Sequence, residues 1–288
     1  MELRISPTQL KMWSECREKH RISYLLNTES VAPSIHYQFG KVIHAMAQAY
    51  WDKKTYMEAF HQALQVAQEL DVRLLSSQNR TKWEALQENI SPITTIYYGY
   101  HGNKNVTHPA YINEQFVESE WGIYAGVSVV CNGIIDRMVS GPTLVDTKTA
   151  SAVGKDWKTD LKKRLLREPQ MGFYSWMYQR MQGELPQRIE YEIIVKPYRG
   201  SEPKIEIIDV TKEVLNFQPV FEQQMNWAIK EMCEFYSKCR EAEPWPMSNS
   251  ACTASIFGEC EFLPYCTGRA EITDSRLYKI KEPKQVEV

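Results

Sequence analysis

The hydrophobic patterning of the 288-residue chain predicts an α/β protein whose mixed central sheet is flanked by helices. Three observations carry that reading. The first hundred or so residues have helical periodicity. From residue 114 to 151 the pattern becomes β-branched and alternating, with glycine turns between runs. After that, helical and strand patterns interleave, ending in a long helix and a cysteine-rich tail.

Taken in order, Ser6-Pro7 is an N-cap and first-turn pair. Leu10, Trp13, Tyr24 and Leu25 then mark an amphipathic helix or two. The stretch NTESVAPSIHYQ reads as looser chain. FGKVIHAMAQAYW, TYMEAFHQALQVAQELDVRLL and residues 81–99 read as helices. GYHGNKNVTHPAYIN is a loop marked by Gly, Asn and Pro. EQFVESEWGIY, VSVVCNGIIDRMVS and TLVDTKTA are strands, the last two joined by a hairpin through VSGPTLV. A helix over 168–182 follows Pro169, and RIEYEIIVKPY and PKIEIIDVT are two more strands. A helix of roughly 213–240 leads to the tail, whose last fifteen or so residues are charged and expected to fray. The expected division is a helical region over 1–110, a core over 111–212 and a C-terminal helix with cysteines over 213–288, within one integrated domain.

Hydrophobic content of 43% and charged content of 24% are ordinary for a globular chain. A net charge of -2 means that any polyanion site must be a local basic patch. No apolar run reaches the ~20 residues that span a bilayer. The N-terminus lacks the apolar core of a signal peptide, so a cytoplasmic protein without a membrane partner is expected. Seven cysteines are an odd count, and a reducing compartment disfavours a disulfide framework; some are candidate metal ligands.

The chemistry concentrates in two strands. Asp146 and Lys148 are two apart and share a strand face. Asp136 lies in the preceding strand, so a hairpin brings two carboxylates together. Neighbouring carboxylates repel, the more so when desolvated, and a divalent cation resolves the conflict. Lys148 would then orient water or neutralise charge on a phosphate. Singly, each pair is more often a solvated salt bridge, with Arg137 the obvious partner for Asp136. Three further features shift the balance. His44, in an otherwise apolar helix, is a candidate ligand through neutral imidazole. Gln170 and Tyr174, at i and i+4, share the face of a helix that follows the acidic strand. Between them, residues 154–169 carry six basic residues up to Arg167 against Asp156 and Asp160, a local +4 suited to phosphate contacts or to a solvated helix face.

His44, Asp136, Asp146-Thr147-Lys148 and Gln170-x-x-x-Tyr174, in this order, resemble the PD-(D/E)xK nucleases, closest to the RecB-like exonuclease branch that includes a CRISPR-associated nuclease and phage exonucleases. The resemblance spans Ser6 to Cys266 and implies a restriction-endonuclease-like core. It implies that His44, Asp136, Asp146 and the Thr147 carbonyl bind Mg²⁺ or Mn²⁺, that Lys148 helps activate the attacking water, and that Gln170 and Tyr174 support the site. Ile135 stands where the motif name has proline, and the second acid is Asp rather than Glu. Glu118 matches a frequent acidic position and takes a supporting role. The implied activity is exonucleolytic hydrolysis of single-stranded DNA ends leaving 5′ phosphates. The rival readings are a non-catalytic DNA-end-binding subunit of a recombination or CRISPR adaptation complex, and an RNA-cleaving enzyme. Trp51, Tyr97 and Tyr98 are candidates for base stacking, though such residues are more often core. A second copy of the chain, or a recombination or replication protein, is the expected protein partner, in a host cytoplasm if the gene is a phage's.

Cys252, Cys260 and Cys266 form a late cluster, with Cys16 as the candidate fourth ligand. Four thiolates suit Zn²⁺ or an iron-sulfur cluster, and the spacing alone leaves both open, with free buried thiols as a third option. The resemblance to AddB-type and CRISPR-type relatives implies a [4Fe-4S] cluster on these four residues, with Gly258 and Pro264 shaping the loop and the cluster tying the N-terminal helix to the C-terminal end. Cys131, Cys233 and Cys239 read as structural thiols.

Overall fold

The computed structural model describes residues 1–31, 34–103, 110–139, 141–151, 155–197, 201–238, 244–248, 252 and 260–281. Cys239, Gly258 and the last seven residues of the tail lie outside that set, as do residues 104–109 of the loop expected over 99–113, whose ends are instead helix up to Asn103 and strand from Ala110. The chain forms two compact units, one of residues 1–32, 120–131 and 223–288 and the other of 33–119 and 132–222.

The second unit begins at α3 (Ile35–Trp51), where the Ser34 hydroxyl caps the Tyr37 amide. The helix therefore starts inside the stretch expected to be loose; the N-cap signal is real but sits among β-branched and proline residues. Then come α4 (Tyr56–Gln68), α5 (Ser77–Gln87) and α6 (Ile90–Asn103). Residues 81–99 are thus two helices, with Pro92 in the first turn of the second, where its missing N–H leaves no bond unmade. Phe39, Val42, Ile43 and Met46 form the apolar stripe of α3 and pack with Ala63, Trp83, Tyr97 and, from the sheet, Ile194.

β3 (Ala110–Tyr124) and β4 (Val127–Val139) pair and contribute to both units. β4 meets β5 (Thr143–Ser151) as an antiparallel hairpin, with Arg137 opposite Val145. After α7 (Trp157–Leu165) and α8 (Gln170–Gln182), β6 (Arg188–Lys196) pairs parallel to β5, placing Asp146 beside Tyr191 and Thr147 beside Glu192. β7 (Lys204–Asp209) pairs antiparallel to β6. The β5-to-β6 connection is a crossover containing helices, as parallel neighbours require. This mixed sheet with helical flanks is the expected fold class.

In the first unit, β1 (Glu2–Ile5) pairs parallel to the start of β4. Four residues paired with chain more than a hundred positions away leave no local signature, and the sequence reading missed this strand. α1 (Pro7–Glu15) opens with the capping box of Ser6 and Gln9, and α2 spans Arg17–His20. Trp13 is buried, contacts Phe235 and Trp245 edge-on and donates its indole N–H to Glu231 at 2.9 Å. These contacts dock α1 on the long helix α9 (Thr211–Lys238). The short β2 (Thr28–Ser30) pairs antiparallel to β8 (Tyr278–Ile280), and α10 (Leu263–Cys266) carries the last cysteine. Among the described residues no helix is long and apolar enough to cross a membrane.

Candidate active site

The second unit assembles the acidic residues on one face of the β4–β5 hairpin. The Asp136 Oδ2 accepts the Thr147 amide at 2.8 Å and lies 3.5 Å from His44 Nδ1. The same imidazole nitrogen lies 3.2 Å from Glu114 Oε1. Nitrogen and carboxylate oxygens of His44, Glu114 and Asp136 fall within 4.8 Å of one another, a spacing that could hold a metal ion.

A second group adjoins them on β5. Lys148 Nζ lies 2.6 Å from Asp146 Oδ2 and donates to Gln170 Oε1 at 2.9 Å. Gln170 Nε2 donates to Asp146 Oδ1 at 2.7 Å and reaches the Tyr174 hydroxyl at 3.5 Å. One amide at the start of α8 therefore holds both the acid and the base of the D-x-K triplet. Asp146 is 1% exposed, with Lys148 against its Oδ2 and Gln170 against its Oδ1. Buried carboxylates gathered with an imidazole offer a donor set that fits a divalent cation.

The electrostatics say the same. Burial pushes the Asp146 carboxyl up to about 6, with Asp136 adding to the rise and Lys148 opposing it. Burial also raises Asp136, against the pull of His44 and Lys148. His44 is held up at about 9, because Asp136 and Glu114 outweigh the burial that disfavours its charge. Burial disfavours the Lys148 charge, but Asp146 and Asp136 beside it hold the ammonium above its ordinary range. His44 and Lys148 thus offset the charge of the buried acids, charge that a divalent cation could also neutralise.

Of the residues expected at the site, His44, Asp136, Asp146, Thr147, Lys148, Gln170 and Tyr174 lie together. Glu114 was not expected; Glu118 was. The two are four apart, so an unbroken strand would present both on one face. Glu114 instead adopts φ 49°, the left-handed region that non-glycine residues seldom occupy, and this interrupts the alternation of β3. Glu118 is exposed. Arg137 does not pair with Asp136: successive strand residues face opposite ways, and its guanidinium binds Glu192 at 3.0 Å. Of the stacking candidates, Tyr97 is core and Trp51 is half-buried against it. The Tyr97 ring is buried with its hydroxyl donating to Glu192, and the Trp51 indole N–H donates to that hydroxyl at 2.9 Å. The Tyr98 hydroxyl donates to the Lys54 carbonyl at 2.9 Å.

The basic segment is helix α7, and much of its charge is spent internally. Lys158 pairs with Glu206 at 2.8 Å, Lys162 with Glu213 at 2.7 Å and Lys163 with Asp160 at 3.9 Å. Lys155, Arg164 and Arg167 are exposed.

In the first unit, Cys16 is buried and Cys252, Cys260 and Cys266 are partly so, all as free thiols. The Cys260 amide donates to the Cys252 carbonyl at 3.1 Å. Burial pushes the Cys266 thiol up to about 12, with Glu18, Cys260, Cys16 and Cys252 adding to the rise, so the other three sulfurs lie within electrostatic reach of Cys266. Cys131 and Cys233 are buried thiols, the former pushed up to about 12 by burial.

A family model described as "PD-(D/E)XK nuclease superfamily" matches residues 4–267. A crystal structure of a protein from Eubacterium rectale, described as a "Putative exonuclease", superposes with a TM-score of 0.52 over 97% of this chain and 90% of that one. The two sequences are 14% identical, a likeness that speaks for the fold. No curated protein matches the sequence.

Proposed function

The chain belongs to the PD-(D/E)XK nuclease superfamily, and from that premise we propose that it is a metal-dependent exonuclease acting on single-stranded DNA ends. The supporting observation is the juxtaposition of two groups: the His44–Glu114–Asp136 trio and the Asp146–Lys148 pair clamped by Gln170. His44, Asp136 and Asp146, with the Thr147 carbonyl, would hold Mg²⁺ or Mn²⁺, and Glu114 joins them. A bound divalent ion supplies Lewis-acid stabilisation of charge on the phosphodiester oxygens.

The side chains do the rest. Gln170 fixes the Lys148 ammonium beside Asp146, so that it meets negative charge developing on the phosphate without having to reorganise. Tyr174, one helical turn on, backs the amide of Gln170. The exposed Lys155, Arg164 and Arg167 offer phosphate contacts to the strand being cut.

For the cysteines the proposed group is a [4Fe-4S] cluster on Cys16, Cys252, Cys260 and Cys266. A single tetrahedral Zn²⁺ on the same four thiolates is the alternative.

The activity is tested with end-labelled single-stranded and duplex DNA in the presence of Mn²⁺ or Mg²⁺. Wild type is expected to shorten the single strand from an end, and Asp146→Ala to leave it intact. An inert wild type, or an Asp146→Ala variant that cuts as well as wild type, would sink the reading.

A further inference from the structure

Behind the acidic face, the sheet of the second unit buries a charged network. Glu192 is 0% exposed and Arg137 4%. Arg137 Nη2 donates to Glu192 Oε1 at 3.0 Å, and the Tyr97 hydroxyl donates to Glu192 Oε2 at 2.9 Å. His101 Nε2 lies 2.9 Å from Glu192 Oε1. The Arg137 guanidinium stacks over Trp51 at 4.4 Å.

Such a network is a poor device for stability. Burying two charges costs several kcal/mol each, and well-packed apolar residues often do as well or better. Arg137 Nε is moreover buried without a partner. Its placement is more telling. Arg137 is on β4 and Glu192 on β6, strands that both border β5 but do not pair with each other. The ion pair therefore spans β5, the strand that carries Asp146, Thr147 and Lys148. Thr147 is where the two faces meet: its hydroxyl donates to Glu192 Oε2 at 3.3 Å, while its amide donates to Asp136 Oδ2 at 2.8 Å.

We propose that the Arg137–Glu192 pair is a positioning strap across β5, which sets the registry of β4 and β5 through Thr147 and so holds the Asp136 and Asp146 carboxylates at the separation a divalent ion needs. The inference rests on the reading of the acidic group as a metal site. A shear of one strand against its neighbour by a fraction of an ångström would spoil ligand geometry while leaving the fold intact.

The test is Mn²⁺ binding to the otherwise intact protein by isothermal titration, with thermal unfolding measured alongside. Glu192→Gln keeps the shape of the side chain and removes the charge; it is expected to weaken Mn²⁺ about tenfold, the lower end of what loss of an outer hydrogen-bonding partner costs. The double variant Arg137→Met/Glu192→Gln removes both charges without leaving either unpaired, and keeps an amide oxygen at 192 to accept from the Tyr97 and Thr147 hydroxyls. It is expected to recover thermal stability but not Mn²⁺ affinity, whereas a purely structural pair would return both. A folded Glu192→Gln protein that binds Mn²⁺ within threefold of wild type, or a double variant with wild-type affinity, overturns the strap. If the double variant does not fold, Glu192→Gln decides alone. Wild type that binds no Mn²⁺ overturns instead the metal site on which the inference stands.

Discussion

At the scale of single residues, the candidate site sets carboxylates against the His44 imidazole on one side and the Lys148 ammonium on the other. Asp136 is tied to the Thr147 amide and faces His44, whereas Lys148 touches Asp146 and Gln170. Asp136→Asn is accordingly expected to abolish both Mn²⁺ binding and cleavage. Lys148→Met keeps the aliphatic reach and deletes only the ammonium; it is expected to retain Mn²⁺ binding but to slow cleavage by about 10²–10⁴-fold, the usual scale for a positioned catalytic group. Calorimetry and single-turnover rates separate the two. Loss of metal binding in Lys148→Met as complete as in Asp136→Asn would reduce the lysine to a structural counter-charge. The D-x-K triplet and the Gln/Tyr pair were legible because strand and helix periods place their side chains on shared faces. Glu114 was not, because its contribution depends on a backbone conformation with φ 49° that no side-chain spacing announces.

At the scale of elements, α8 has to sit close enough to deliver Gln170 to β5. Gly172 sets how closely α8 approaches α9, on which Phe221 lies: a Cβ at residue 172 would lie 2.8 Å from Phe221 Cγ. The Gln218 side chain also donates to the Gly172 carbonyl at 3.3 Å. Alanine at this position has two opposing effects. Helix propensity favours it by about 0.8–1 kcal/mol, and overpacking disfavours it by about 1–3 kcal/mol. Gly172→Ala is therefore expected to lower the unfolding free energy by about 1 kcal/mol and to reduce cleavage by displacing Gln170, and Phe221→Leu in the same chain is expected to restore much of both. Urea unfolding that shows Gly172→Ala equal to or more stable than wild type would contradict the close approach. The helix itself was readable from Pro169 and the apolar run that follows. Its contact with α9, about fifty positions away, was not.

At the scale of the whole chain, the path through the two units is discontinuous in sequence, with residues 1–32, 120–131 and 223–288 gathered into one of them. The four candidate cluster cysteines all belong to that unit, so whatever they bind contributes to its folding free energy. Protein purified without oxygen is expected to be brown, with broad absorption toward the violet and about four irons per chain. Colourless protein with one zinc per chain would replace the cluster with a single ion. By itself, the order of residues determined the α/β class, the β4–β5 hairpin and the family motif, since all three are written in local periodicity and short spacings. Tertiary structure alone decided that Glu114 joins His44 and Asp136, that Arg137 turns from Asp136 to Glu192 on β6, and that β1 pairs with β4. Each of these depends on strand pairing, or on which face of a strand meets which helix. Those are fixed by packing between distant segments, where no single segment carries the signal.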